Sequence, residues 1–158
     1  MKAKRSVLLV VDACVAQSAG ETEHPVSCCC RNALLSILGV CHRVVMTEAI
    51  QDEWNHHMSR FTRKWFRSMV ARKKIHRSEG MRLSHLDEVC EGLPTNEQDG
   101  LRKDVCLIEA ACAADGIVVT RDDVIVGIWQ KCQDRFGLPR PIRWINPVTD
   151  DVQTLERL

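Results

Sequence analysis

Apolar positions along the chain fall into short solid runs separated by longer stretches of helical periodicity. Ser6-Val7-Leu8-Leu9-Val10-Val11 is apolar without alternation and stops abruptly at Asp12, the pattern of a strand buried on both faces of a parallel sheet. A polar loop carrying Gly20 and Pro25 follows. Val26 to Leu38 then spaces Cys29, Ala33 and Ile37 at helical intervals, with Gly39 as a stop signal. Arg43-Val44-Val45-Met46 is a second short run. Thr47 stands behind it as a helix N-cap, with Glu48 in the first turn, where the helix dipole favours negative charge.

From about Glu48 to about Lys74, Ile50, Trp54, Met58, Phe61, Trp65 and Met69 recur at spacings of three and four. This predicts a long helix with one apolar side and room for a break within it. Arg82 to Cys90 reads as a shorter helix ended by Gly92 and Pro94, and Lys103 to Ala114 as an alanine-rich helix closed by Asp115-Gly116. Ile117-Val118-Val119-Thr120 is a third buried strand. Asp122 to Phe136 is a helix stopped by Gly137 and Pro139, and Ile142-Arg143-Trp144-Ile145 a last strand before a polar tail from about residue 148. Strands alternating with helices predict an α/β fold whose parallel sheet is covered on both faces by right-handed crossovers, with working residues at the carboxyl ends of the strands.

The chain's 158 residues suffice for one sizeable core, and no linker or composition shift divides them, so a single domain over 1–158 is expected. The apolar run Val7 to Val11 is too short to span a bilayer, and the basic start Met1-Lys2-Ala3-Lys4-Arg5 has no long apolar stretch behind it. Nine cysteines, with Cys28, Cys29 and Cys30 consecutive, show no framework spacing; an odd number in a chain of this size fits reduced thiols. A cytoplasmic protein with no membrane partner is the expectation.

A net charge of +1 conceals a very uneven distribution. Between Trp54 and Ser78 there is no Asp or Glu, whereas Arg60, Arg63, Lys64, Arg67, Arg72, Lys73, Lys74 and Arg77 fall there with His56, His57 and His76. The solvated face of a helix normally mixes both signs, so this segment is a candidate nucleic-acid contact as well as an ordinary exposed face.

The acids follow the apolar runs. Asp12 directly succeeds the first, Asp122 lies just beyond the third, and Glu53 is one to two turns past the second. Asp104 is expected to open the helix leading into the third strand, so that its antiparallel return brings the carboxylate to the same edge. Any one of these acids is equally well a strand end or a helix cap. Gathered in one place they would repel one another and call for a cation, and oxygen-only ligation favours Mg²⁺ or Mn²⁺. Such ions support phosphodiester hydrolysis by activating water and neutralising charge.

Three stretches carry a family resemblance: Val7-Leu8-Leu9-Val10-Val11-Asp12-Ala13, Thr47-Glu48-Ala49-Ile50-Gln51-Asp52-Glu53, and Asp104-Val105-Cys106-Leu107-Ile108-Glu109-Ala110-Ala111 running into Gly116-Ile117-Val118-Val119-Thr120-Arg121-Asp122. In order and spacing the chain resembles a PIN domain, the nuclease family that includes the VapC toxins of toxin-antitoxin pairs. The resemblance implies a three-layer α/β/α fold and a ribonuclease that cleaves RNA by water attack with Mg²⁺ or Mn²⁺. Asp12, Glu53, Asp104 and Asp122 are then the catalytic and metal-binding acids; it selects Glu53 over Glu48 or Asp52. Thr120 takes the position whose hydroxyl supports the last acids, and Asp123 assists from behind them. Arg60, Arg63, Lys64, Arg67, Lys73 and Lys74 become the RNA-binding cations. For a free-standing domain of this size, a toxin with an antitoxin protein as partner and a homodimer as its assembly is the natural expectation, although RNA maturation or decay needs the same residues.

Two departures stand out: Cys14 occupies the position where Asn or Ser commonly follows the first acid by two residues, and the stretch between Glu53 and Asp104 is longer than in minimal toxins of this type. A thiol is a poor hydrogen-bond donor, so a weakly active or inactive scaffold that binds RNA or protein is the alternative reading. Zinc finds little support: His56, His57 and Cys41-His42 are not accompanied by a C-x-x-C pair or an H-E-x-x-H helix. A phosphate-binding glycine loop, the Asp-x-Asp of haloacid-dehalogenase-type phosphatases and the G-x-S-x-G elbow are likewise missing.

Overall fold

The computed structural model describes residues 5–151 and 153–158. Of the basic start, Met1-Lys2-Ala3-Lys4 lies outside the described residues, as does Val152 of the polar tail. Five strands, β1 (Leu8–Val11), β2 (Arg43–Met46), β3 (Ile75–Arg77), β4 (Ile117–Val119) and β5 (Arg143–Ile145), form one sheet in the order β3-β2-β1-β4-β5. Every neighbouring pair is parallel; Leu9 pairs with Val44 and Val11 with Val119. Parallel strands need crossovers, and helices supply them: α1 (Ala13–Ser18), α2 (Pro25–Gly39), α3 (Glu48–His57), α4 (Arg60–Ala71), α5 (Leu86–Glu91), α6 (Thr95–Cys112), α7 (Asp123–Cys132) and α8 (Gln153–Glu156). The result is the expected α/β architecture, a parallel sheet flanked by helices. α2 packs with α1, α4 and α8, and α6 with α5, α7 and strands β1, β2 and β4.

The apolar runs are buried because each strand is covered on both faces. Leu9, Val10 and Val11, Val44, Val45 and Met46, and Val118 and Val119 have no accessible surface. Strand order reverses between β1 and β4, since the chain steps outward from β1 to β2 and β3, then returns to the other side of β1. The carboxyl ends of β1 and β4 therefore flank a crevice that no crossover fills.

Several elements differ from the sequence expectation. The loop after Asp12 contains the short helix α1, capped by Asp12 itself, whose side chain accepts from the amide of Cys14. The long helix is two. α3 stops at His57, Met58 takes an extended conformation, and Ser59 caps α4 by accepting from Thr62 N at 3.1 Å. Its amide donates to Ala16 O at 3.2 Å, which ties the break to α1, and α4 then packs on α2. After α4 a tight turn through Lys73, at φ +57°, enters the short edge strand β3, which apolar patterning does not reveal because His76 and Arg77 occupy two of its three positions.

α6 begins at Thr95, not near Lys103, so Asp104 lies in the middle of a long helix and not at its N-terminus. Gly100 hid this first half in the sequence; a Cβ there would stand 3.1 Å from Cδ1 of Ile128, so the glycine permits close approach of α6 and α7. The helix-dipole argument for Asp104 therefore does not apply. Among the described residues no helix is long and apolar enough to cross a membrane.

Candidate functional site

Each strand end adjoining the crevice delivers a carboxylate by a local rule. Asp12 leaves β1, where its amide donates to Val119 O at 2.9 Å, and becomes the N-cap of α1. Asp122 leaves β4 and becomes the N-cap of α7, with Oδ1 accepting from Val124 N at 2.9 Å and Ile125 N at 3.4 Å. Thr120 joins the two: its hydroxyl donates to Oδ2 of Asp12 at 2.8 Å and accepts from the amide of Asp122 at 3.0 Å. Glu53 comes from α3, whose position is fixed one residue later by the buried indole of Trp54, donating to Val11 O at 3.0 Å. Asp104 comes from the body of α6.

Asp12, Glu53, Asp104 and Asp122 line one cleft of about 240 Å³, together with Cys14, Gln17, Ile50, His57, Lys103, Cys106 and others. The four acids expected from the sequence are thus brought together although two helices, α3 and α6, and two strand ends supply them. Burial, followed by the negative charge of Asp12, with smaller contributions from Asp122 and Glu53, pushes the Asp104 carboxyl up to about 6; Lys103 opposes the shift. His57 stands 3.6 Å from Glu53 one helical turn on.

Cys14 takes a defined place in this arrangement. Its thiol lies 3.2 Å from Oδ2 of Asp12 and 3.5 Å from the Thr120 hydroxyl, and accepts from Arg121 N at 3.4 Å. Burial first, and then the Asp12 charge, push it up to about 12, so the thiol stays neutral and donates to the carboxylate. Thr120 is the stronger donor, and it shares Asp12 Oδ2 with the weaker one.

Other expected residues have different places. Asp123 accepts from Asn146 Nδ2 at 3.1 Å, tying α7 to the end of β5, and is not part of the cleft lining. Lys74 turns inward: its ammonium donates to Ile37 O at 2.7 Å, Leu38 O at 2.9 Å and Val40 O, closing the C-terminus of α2. Expected among the RNA-contacting cations, it serves instead as a helix cap. Arg60, Arg63, Lys64 and Arg67 are exposed on α4 opposite the buried Thr62, Trp65 and Met69, and Lys73 is exposed in the turn after it. His42 is buried, with Val7 N donating to its Nδ1 at 3.3 Å and Leu155 O lying 2.8 Å from its Nε2, which spends the ring on the fold.

Gln17, Lys103 and Cys106 line the cleft without having been singled out from the sequence. Gln17 depends on α1, which patterning missed. Lys103 and Cys106 flank Asp104 closely enough that its neighbours at i−1 and i+2 were the available signal.

The donor chemistry of the cleft suits a hard divalent cation. The carboxylates supply only oxygen, and their mutual repulsion, visible at Asp104, is what a cation relieves. Among the described residues no three potential ligands stand together around one point. No protein-family model matches this chain, and no curated protein sequence matches it.

Proposed function

We propose that the protein is a metal-dependent endoribonuclease of the PIN type, hydrolysing RNA phosphodiester bonds with Asp12, Glu53, Asp104 and Asp122 holding Mg²⁺ or Mn²⁺. The observation that carries this reading is the convergence of four acids, far apart in sequence, on one cleft at the strand-order reversal, with Asp104 pushed up by burial and by the charges of the other three. A bound divalent ion supplies charge neutralisation and water activation.

The chain's own residues do the positioning. Thr120 and Cys14 orient Asp12, the first amides of α7 orient Asp122, and the Trp54 anchor fixes the helix that presents Glu53. Lys103, beside Asp104 in the lining, supplies positive charge to a scissile phosphate, and the His57 imidazole stands 3.6 Å from Glu53. The exposed cations of α4 hold the nucleic-acid backbone outside the cleft.

The decisive experiment is cleavage of a labelled mixed RNA pool with Mn²⁺, with EDTA, and with Asp12→Asn and Asp104→Asn beside the parent. Cutting that needs both metal and both acids supports the nuclease. RNA binding that is indifferent to chelation, with no cutting, leaves the scaffold reading. A toxin role is tested separately by growth arrest on expression that Asp104→Asn relieves.

A further inference from the structure

The cleft and the basic face of α4 are connected by α1, and one cation stands on that connection. Arg121 follows Thr120 at the carboxyl end of β4 and is exposed. Its amide donates to the Cys14 thiol at 3.4 Å, which ties its backbone to the cleft, while its guanidinium donates to Oγ of Ser18 at the last residue of α1. From the same end of α1, Ala16 O accepts from the Thr62 hydroxyl at 2.6 Å and Ala19 O accepts from the Ser59 hydroxyl, which fixes the start of α4. Arg60, Arg63, Lys64 and Arg67 then run along the exposed side of α4 at i, i+3, i+4 and i+7, over roughly 10 Å of helix axis.

These cations are mostly uncommitted. Among the described residues no carboxylate lies within ion-pair distance of Arg121, Arg60, Arg63 or Arg67, and Lys64 only reaches Glu21 at 3.9 Å. A guanidinium laid along a helix end by a single hydroxyl keeps most of its donors for another acceptor.

We propose that Arg121 binds a substrate phosphate and leads the RNA backbone from the cleft, across the C-terminal end of α1, onto the Arg60 to Arg67 stripe of α4. This rests on the nuclease reading and adds to it a substrate-binding residue that positions the RNA backbone. Phosphate contacts of this kind are read by the salt dependence of binding, whose logarithmic slope falls by about 0.7 for each one lost from a single strand.

The test is fluorescence anisotropy of a labelled short oligouridylate with the full chain in EDTA, titrated with KCl. Arg121→Ala is expected to weaken single-strand binding about three- to tenfold at low salt and to lower the slope by about 0.7, Arg121→Lys to keep the slope, and Arg63→Ala with Arg67→Ala to lower it by about twice as much. Circular dichroism establishes that each variant is folded. A parental slope in Arg121→Ala overturns the proposal. Mn²⁺-dependent cutting is scored on the same proteins: a parent that never cuts, yet shows these slopes, removes the nuclease reading and leaves the Arg121 track standing.

Discussion

The indole N–H of Trp54 donates to the carbonyl of Val11 across 3.0 Å, joining α3 to the last residue of β1. Both partners are fully buried, and each is followed or preceded by a candidate ligand: Asp12 comes after Val11 and Glu53 before Trp54. The bond therefore sets two carboxylates of the cleft relative to each other through the backbone, with no contact between the acids themselves.

Trp54→Phe removes this donor, leaves Val11 O without its side-chain partner and opens a small cavity where the larger indole was buried. A loss of about 1–3 kcal/mol in unfolding free energy is expected, together with slower RNA cutting at unchanged RNA affinity. Urea denaturation and cleavage kinetics on one preparation measure both. Wild-type stability and rate would show that packing against Trp65 and Phe66, at 5.9 and 6.0 Å between ring centres, suffices to hold α3.

Thr120→Val is nearly isosteric and deletes a hydroxyl that donates to Asp12 and accepts from the Asp122 amide. Cutting should fall by at least tenfold, and stability by about 1–2 kcal/mol. Thr120→Ser, which restores the hydroxyl, should recover most of the rate. Equal rates in Val and Ser variants would deny the hydroxyl any part in orienting the acids.

Asp104, pushed up to about 6 by burial and by neighbouring carboxylates, makes metal-free stability depend on pH in a stated direction. The folded state binds the proton more tightly than the unfolded chain, whose carboxyl titrates near 4, so unfolding free energy falls as pH rises through about 4 to 6 and stays lower above it. The half-buried group is partly screened, which limits the effect to about 1 kcal/mol. Denaturation in EDTA across that window should show the decline, and Asp104→Asn should flatten it. Addition of Mn²⁺ at pH 7 should raise the parent's melting temperature and leave that of Asp104→Asn nearly unmoved.

Lys74→Met separates folding from binding within the basic segment. Loss of three carbonyl contacts at the end of α2 should cost about 1–3 kcal/mol, with the salt slope of RNA binding unaltered. Burial depresses the Lys74 pKa, consistent with an ammonium turned into the protein. A decrease in slope would return Lys74 to the binding surface.

The strands that build the crevice were legible from sequence because burial on both faces demands uninterrupted apolar residues. Val7 to Val11, Val44 to Met46 and Ile117 to Val119 announce themselves in that way, and so do Asp12 and Asp122, which end the first of these runs and lie just past the third. β3 was not legible, since an edge strand has one side free and tolerates His76 and Arg77. The first half of α6 was hidden by Gly100, whose cost to a helix is offset only by packing against Ile128.

Sequence by itself determined the α/β class and the first, second, fourth and fifth strands, because those depend on local patterning; of the candidate acids, Asp12 and Asp122 follow from the ends of apolar runs, whereas Glu53 was selected by the family resemblance and Asp104 by a helix start that the structure moves to Thr95. Tertiary structure alone decided what each side chain does there. Lys74 and Arg63 belong to the same basic segment, yet one closes α2 and the other faces solvent, and the difference is the direction in which the Ser59 break and the Lys73 turn aim the chain. Asp104 acquires its raised pKa only when α6, β1, β4 and α3 pack together, since burial and like charge are properties of what surrounds a group, not of the residue that carries it.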